Sequence, residues 1–262
     1  MKTARTTIRL LREFAGAEPQ LGVTELARRL DIHKASAHRL LKTLVEEHII
    51  EQDPETRRYR LGLGILELAA ARLAQFGVID VAAPHMELLR KQTGETVALL
   101  VHDAHEMVCI HVLESPHRMR VSFLLGEHAP VHATASGICC IAELSTIEQR
   151  GLIARSRAAF RDNPELEAAQ LAALLEQARR EDCAIADGTY QPHVRSVSAP
   201  VRDAAGRIVC ALAVAAPAQR IAVRDLWPLA RQVRDVAQTI SHDLGGVSGA
   251  RAQAPAGHLP RR

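Results

Sequence analysis

The sequence predicts an α+β chain of two domains: an N-terminal winged helix-turn-helix, a linker helix, and a larger C-terminal domain built on a mixed sheet with helices. Three observations carry this prediction. Residues 23–45 hold two short amphipathic helical periods separated by a turn. Residues 49–61 read as two short strands around the turn signal Asp53-Pro54-Glu55-Thr56. From Thr96 onward the apolar period shifts from helical to β.

Thr6 to Gly16 predicts the first helix, with Ile8, Leu11 and Ala15 on one face and Leu10 and Phe14 beside it; Gly16 and Glu18-Pro19 end it. The second helix is short, with Thr24 as its expected N-cap and Leu26, Ala27 and Leu30 as its inner face. In the third, Ala37, Leu40, Leu41, Leu44 and Val45 follow the i, i+3, i+4, i+7, i+8 stripe of a half-buried helix. Lys34, Ala35, Ser36, His38, Arg39 and Thr43 fall off that stripe. A helix with one oily face and one small, basic, hydrogen-bonding face fits the DNA major groove, where its first turns meet base edges. Its N-terminal N–H groups suit phosphate. An ordinary helical hairpin is the competing reading.

Ile49 to Gln52 and Arg58 to Leu61 predict the wing. Alternation places Tyr59 and Leu61 on one face and Arg58 and Arg60 on the other, where they would grip backbone phosphates; a solvated charged hairpin is the alternative. Thr24, Ala35, Lys42 and Arg57 join Lys34, Ser36, His38, Arg39, Arg58 and Arg60 in the expected contact set for double-stranded DNA.

The first domain is assigned to residues 1–62, the linker helix to 63–77, the second domain to 78–245 and a disordered, Gly-, Ala-, Pro- and Arg-rich tail to 246–262. Within the second domain, Val78 to Gln92 predicts a helix. Val97 to Val101, Met107 to Ile110 and Met119 to Phe123 predict strands. Thr134 to Leu144 and Pro164 to Glu181 predict helices, Val194 to Val201 and Ile208 to Ala215 strands, and Arg224 to Leu244 a closing helix. Such domains often hold a small ligand in a concave apolar site.

Composition narrows the function. A hydrophobic content of 47% over 262 residues supports a real core. The formal net charge is +3, and all of that excess lies in residues 1–62. Four Phe, two Tyr and one Trp are too few for the stacking platforms of single-strand nucleic-acid binders, so duplex is the better partner. The five cysteines are odd in number and form no Cys-x-x-Cys pair, which reads as reduced, buried thiols. With no signal peptide or apolar run of membrane-spanning length, a cytoplasmic protein without a membrane partner is expected.

Catalytic signatures are missing from the sequence. There is no Gly-x-Ser-x-Gly elbow and no phosphate loop, and Gly62-Leu63-Gly64 lacks the third glycine of a dinucleotide site. His102, His105 and His111 with Cys109 are spaced irregularly for metal, so no metal, no cofactor and no enzymatic activity are expected. Two other readings stay open: a C-terminal small-molecule enzyme, and a DNA-binding protein that answers to no ligand.

The motifs resemble the IclR family of bacterial transcriptional regulators from about Thr6 to Leu244. The resemblance rests on Leu26-Ala27-Arg28-Arg29-Leu30, on His38-Arg39-Leu40-Leu41-Lys42-Thr43-Leu44, and on Asp53-Pro54-Glu55-Thr56 with Tyr59-Arg60-Leu61-Gly62. Further along it rests on Gly94-Glu95-Thr96, Val131-His132-Ala133-Thr134-Ala135-Ser136-Gly137, Asp187-Gly188, and Ala199-Pro200-Val201-Arg202-Asp203 with Gly206-Arg207. It implies a GAF-like effector-binding domain and homodimers or homotetramers on palindromic operators. It also implies small organic acids or aromatic breakdown products as effectors. Carried over by position, the pocket is lined by Val121, Ala135, Ser136, Asp187, Ser196, Ala213 and Ala215.

The chain departs from the family pattern at three places. Ala213-Val214-Ala215-Ala216-Pro217 stands where many members have Ser-x-Ser-Gly-Pro, so two hydroxyls are missing and a larger aromatic or apolar acid is expected. Ile138 replaces a frequent Lys. Arg57 replaces a frequent Gly in the wing turn, where it either adds a phosphate contact or strains a left-handed position.

Overall fold

The computed structural model describes residues 2–16, 18–161 and 166–251. It divides into two compact units, Met1–Phe76 and the chain from Gly77 onward.

The first unit runs α1 (Lys2–Glu13), α2 (Val23–Leu30), α3 (Lys34–Glu46), β1 (Ile50–Gln52), β2 (Tyr59–Leu61) and α4 (Gly64–Leu73). The apolar stripes converge: Leu10 and Phe14 of α1, Leu26 and Leu30 of α2, Leu41 and Leu44 of α3, Ile50 and Tyr59 form one buried cluster around Leu21. Leu21 also exchanges two backbone hydrogen bonds of 2.9 Å with Tyr59, adding a short third rung beside the hairpin. β1 and β2 pair antiparallel with Ile50 opposite Leu61. The chain leaves β2 pressed against the preceding loop. A Cβ at Gly62 would stand 2.5 Å from the His48 carbonyl oxygen, so only glycine fits. In α4, Leu63 at its cap, Leu66 and Leu68 are exposed, and no residue of the helix is buried.

The second unit runs α5 (Val78–Thr93), β3 (Thr96–Asp103), β4 (Glu106–Leu113), β5 (His128–Pro130), α6 (Ala135–Ile141), α7 (Thr146–Ala159), α8 (Ala168–Glu181), β6 (Ala184–Asp187), β7 (Val194–Arg202), β8 (Ile208–Pro217) and α9 (Leu226–Arg251). The six strands lie in the order β5-β4-β3-β8-β7-β6. Strands and helices share one layered unit, as the α+β reading requires, and the strand directions are now specified: all five pairings are antiparallel.

Alternation along the central strands sorts the two faces. Ala98 and Leu100 of β3 and Ala211 and Ala213 of β8 join a buried cluster with α6, α7 and α8. Val97, Leu99, Leu212 and Val214 point the other way, toward α5 and α9. On α9, Ala230, Val233, Ala237 and Ile240 repeat at helical spacing and are fully buried, against Met86 and Leu89 of α5. Truncating a side chain in such a layer, as in Leu89→Ala, costs about 2–5 kcal/mol.

Several expected elements shift. α1 begins at Lys2 and ends at Glu13, earlier than the expected 6–16 span. Thr24 is not the cap of α2: Gly22 takes the extended N-cap conformation, and Thr24 lies inside the first turn. Met119 to Phe123 forms no strand; Val121 is instead tied down by the Thr96 hydroxyl, which donates to its carbonyl at 2.6 Å. α9 runs on to Arg251, so the tail expected from residue 246 is helical at its start, with no proline before Pro255 to stop it. Its remainder, 252–262, and the start of the helix expected from Pro164 lie outside the described residues.

Candidate DNA interface and effector pocket

α2 and α3 are joined by a turn that needs one left-handed residue. Asp31 supplies it at φ 53°, and its short polar side chain tolerates that region better than a branched one. Ile32 then donates its N–H to the Ala27 carbonyl at 3.0 Å, and extended His33 caps α3. Ala37, Leu41 and Leu44 are buried, which fixes the rotation of α3. Its opposite face carries Lys34, Ala35, His38, Arg39 and Lys42, all exposed, with Ser36 at the edge. Arg39 makes one long bond, 3.4 Å, to the Ser36 hydroxyl, and Lys42 stands 3.8 Å from Glu46. Among the described residues these cations have no strong internal acceptor. Arg28 on α2 is another exposed cation, and among the described residues it makes no ion pair. The sequence signal for it was its position off the Leu26, Ala27, Leu30 stripe.

The wing differs. Asp53 accepts the N–H groups of Thr56 and Glu55 at 2.8 and 3.0 Å, and these bonds, that to Thr56 foremost, hold its carboxyl below the usual carboxylate range. The turn closes with Arg57 at φ 58°, the left-handed position glycine would favour. Arg58 does not lie on the outer face. Its guanidinium donates to the Gln20 carbonyl at 2.7 and 3.2 Å and reaches Glu25 at 3.3 Å. Strand alternation failed here because Arg58 precedes β2 and folds back to cap an unpaired carbonyl. Arg60 is exposed but paired across the hairpin with Glu51 at 3.0 Å. Behind Arg58, Arg29 bonds Glu25 at 2.5 Å and Glu18 at 2.6 Å, and it holds the Glu25 carboxyl below its ordinary range.

In the second unit, α6 is placed by Thr134. Its hydroxyl oxygen accepts the Gly137 N–H at 3.1 Å and its O–H donates to the Pro130 carbonyl at 2.8 Å. A methyl group on Gly137 would overlap the Val131 backbone, so the helix can start this close to the strand only with glycine there. Beside α6 opens a cavity of about 50 Å³. Its floor is the sheet: Ser196 on β7 and Ala213 and Ala215 on β8, with Ser196 paired directly opposite Ala215. Ser136 and Val121 also line it.

Two residues expected there do not. Ala135 is packed into the core cluster on α6. Asp187 forms a 2.7 Å ion pair with Arg195, which in turn donates to the carbonyls of Ala218 and Ile221. That network closes the end of the sheet and does not face the cavity. Sequence reasoning missed Phe123, Glu127, Thr134, Thr189 and Tyr190, which complete the wall. Thr134 caps α6; the others come from the loops before β5 and after β6, and the Thr189 hydroxyl pins the second loop by donating to the Ala133 carbonyl at 2.6 Å. No periodic pattern marks such positions.

All five cysteines are free and buried. Burial pushes the Cys109 and Cys183 thiols up to about 11, far from thiolate chemistry. Among the described residues, no three His, Cys, Asp or Glu side chains are placed to hold a metal ion.

Residues 4–54 match the model of the IclR helix-turn-helix domain, and residues 70–242 match that of the bacterial transcriptional regulator IclR C-terminal domain. The chain belongs to the IclR family. Among curated relatives, the HTH-type transcriptional repressor AllR of Escherichia coli K12 is 27% identical over 224 residues, covering 85% of this chain and 83% of that protein. AllR of Salmonella typhimurium LT2 matches at the same identity and covers 82% of its own length. Among solved structures, a putative IclR regulator from Silicibacter sp. TM1040 superposes with a TM-score of 0.74 at 25% identity, covering 93% of this chain and 96% of that one. An IclR homolog from Microbacterium hydrocarbonoxydans, solved in complex with 4-hydroxybenzoate, shares the fold with a TM-score of 0.77 at 24% identity over 92% of this chain and 98% of its own. This IclR-family chain is thus a bacterial transcriptional regulator with a helix-turn-helix DNA-binding domain, within a family of regulators and not of enzymes. Among the described residues, no helix is long and apolar enough to cross a membrane.

Proposed function

We propose that this protein is a cytoplasmic, ligand-responsive repressor that docks the exposed face of α3 in the major groove of a palindromic operator, as a homodimer or homotetramer. In this reading Arg39 contacts a guanine edge, Lys34 and Lys42 meet phosphates, and Ser36 and His38 contact bases or sugar-phosphate nearby. The observation that carries it is the split commitment of α3: its apolar face is buried while Lys34, Ala35, His38, Arg39 and Lys42 remain exposed without strong internal partners. Arg58 acts from behind, holding the wing to α2.

A small aromatic or apolar organic acid occupies the cavity beside α6. Apolar walls from Val121, Phe123, Ala213 and Ala215 favour a ring, and the hydroxyls of Ser136 and Ser196 favour an oxygen-rich group. The 4-hydroxybenzoate bound to the Microbacterium hydrocarbonoxydans homolog suits the same description. Residues 63–77 carry the ligand state to the DNA-binding unit.

A mobility-shift titration on the DNA flanking the gene, with and without a panel of aromatic acids, tests both halves. Retarded DNA that one panel member releases or tightens is the expected result. DNA binding that no panel member alters, with no ligand raising the melting temperature, would leave a ligand-independent DNA-binding protein.

A further inference from the structure

The charge around the effector cavity is one-sided. Among the described lining residues there is one carboxylate, Glu127, and no lysine, arginine or histidine. Glu127 is half-buried in the turn before β5. Its Oε2 accepts the Leu124 N–H at 2.8 Å, and no described group donates to Oε1. Tyr190 lines the same cavity from the loop after β6. Burial first, and the Glu127 charge second, push its phenol above the ordinary range, so it stays neutral. Phe123 adds an apolar ring to this wall.

A ligand placed here meets an acceptor with spare capacity. A second carboxylate brought beside Glu127 would set two like charges in a poorly solvated space. A hydroxyl or amine would instead give Oε1 a charge-assisted hydrogen bond, the stronger kind. We propose that Glu127 is a specificity-determining residue, selecting effectors that carry a hydrogen-bond donor, a phenolic or alcoholic hydroxyl or an amine, over acids that carry none. The inference rests on the cavity being the effector site. Any acid group on the effector is held by a separate set, the hydroxyls of Ser136 on α6 and Ser196 on β7.

Calorimetric titration of the full chain with benzoate, 4-hydroxybenzoate and 4-hydroxybenzyl alcohol tests this. Wild type is expected to bind 4-hydroxybenzoate at least about tenfold tighter than benzoate, since a site built to hydrogen-bond a hydroxyl penalises the analogue lacking it. In Glu127→Gln the preference falls below about threefold, chiefly through weaker 4-hydroxybenzoate binding, because the charged acceptor for its hydroxyl is replaced by a neutral amide. Glutamine keeps an oxygen for the Leu124 N–H, so the turn is retained. Equal affinity of wild type for benzoate and 4-hydroxybenzoate, or a Glu127→Gln chain that keeps the full preference, overturns the role of Glu127 while leaving the cavity as the effector site. Binding of none of the three probes overturns the effector site itself, and this inference with it.

Discussion

α3 and the wing carry the same kind of residue and use it in opposite ways. On α3, Arg39 and Lys42 project from a helix whose backbone acceptors are already consumed, so their charge is left for a partner. In the wing, Arg58 lies within reach of the Gln20 carbonyl and the Glu25 carboxylate and is spent inside the fold, and Arg60 is held at the surface by Glu51 opposite it. A basic residue on a surface is therefore a contact for DNA only if nearby acceptors leave it free. That contrast can be broken or sharpened by substitution.

The largest effect is expected from Arg39→Ala, which should weaken specific operator binding by about 1–3 kcal/mol and relax sequence preference at one base pair per half-site. A titration against operator variants checks it; unchanged preference would move Arg39 out of the base-reading role. Arg58→Ala should leave that preference intact. It should instead lower the stability of the DNA-binding unit by about 1 kcal/mol, because the Gln20 carbonyl loses its donor, as a denaturant titration would read. Lys42→Ala should weaken binding to all sequences alike and make the slope of log K against log salt shallower by about 0.9, the signature of one lost phosphate contact. The smallest effect belongs to Arg57→Gly. Relieving a left-handed arginine at φ 58° should raise stability by about 0.5–1 kcal/mol, the gain being reduced by the extra freedom glycine has when unfolded. Any gain should come with little change in operator affinity.

The same contrast explains what was legible in the sequence. α2 and α3 could be read because their burial repeats at helical spacing with leucines and alanines. α7 went unread because its buried positions, Gln149, Leu152 and Ser156, are mostly polar, so no apolar stripe marks it. Gln149 is buried because its side chain caps the Ile141 and Ala142 carbonyls at the end of α6, a tertiary demand with no periodic signature. β5 and β6 were too short, at three and four residues, for alternation to register.

In the pocket, the floor positions Ser196, Ala213 and Ala215 were legible only through the family resemblance, which carries over well along regular paired strands, whereas Glu127 and Tyr190 arrive on loops. Asp187 looked like a ligand group and proved to be committed to Arg195, much as Arg58 proved to be committed to Gln20. In both cases a charged side chain was satisfied by a neighbour distant in sequence or across a strand, and only the folded chain reveals that pairing.

Methylation protection of guanine N7 on the operator tests the central claim most directly, because it reports which side chains occupy the major groove. Wild-type protein should shield at least one guanine in each half-site, Arg39→Ala should lose that shielding, and Arg58→Ala should keep it. Shielding that survives Arg39→Ala but disappears with Arg58→Ala would contradict the assignment of the reading surface to α3.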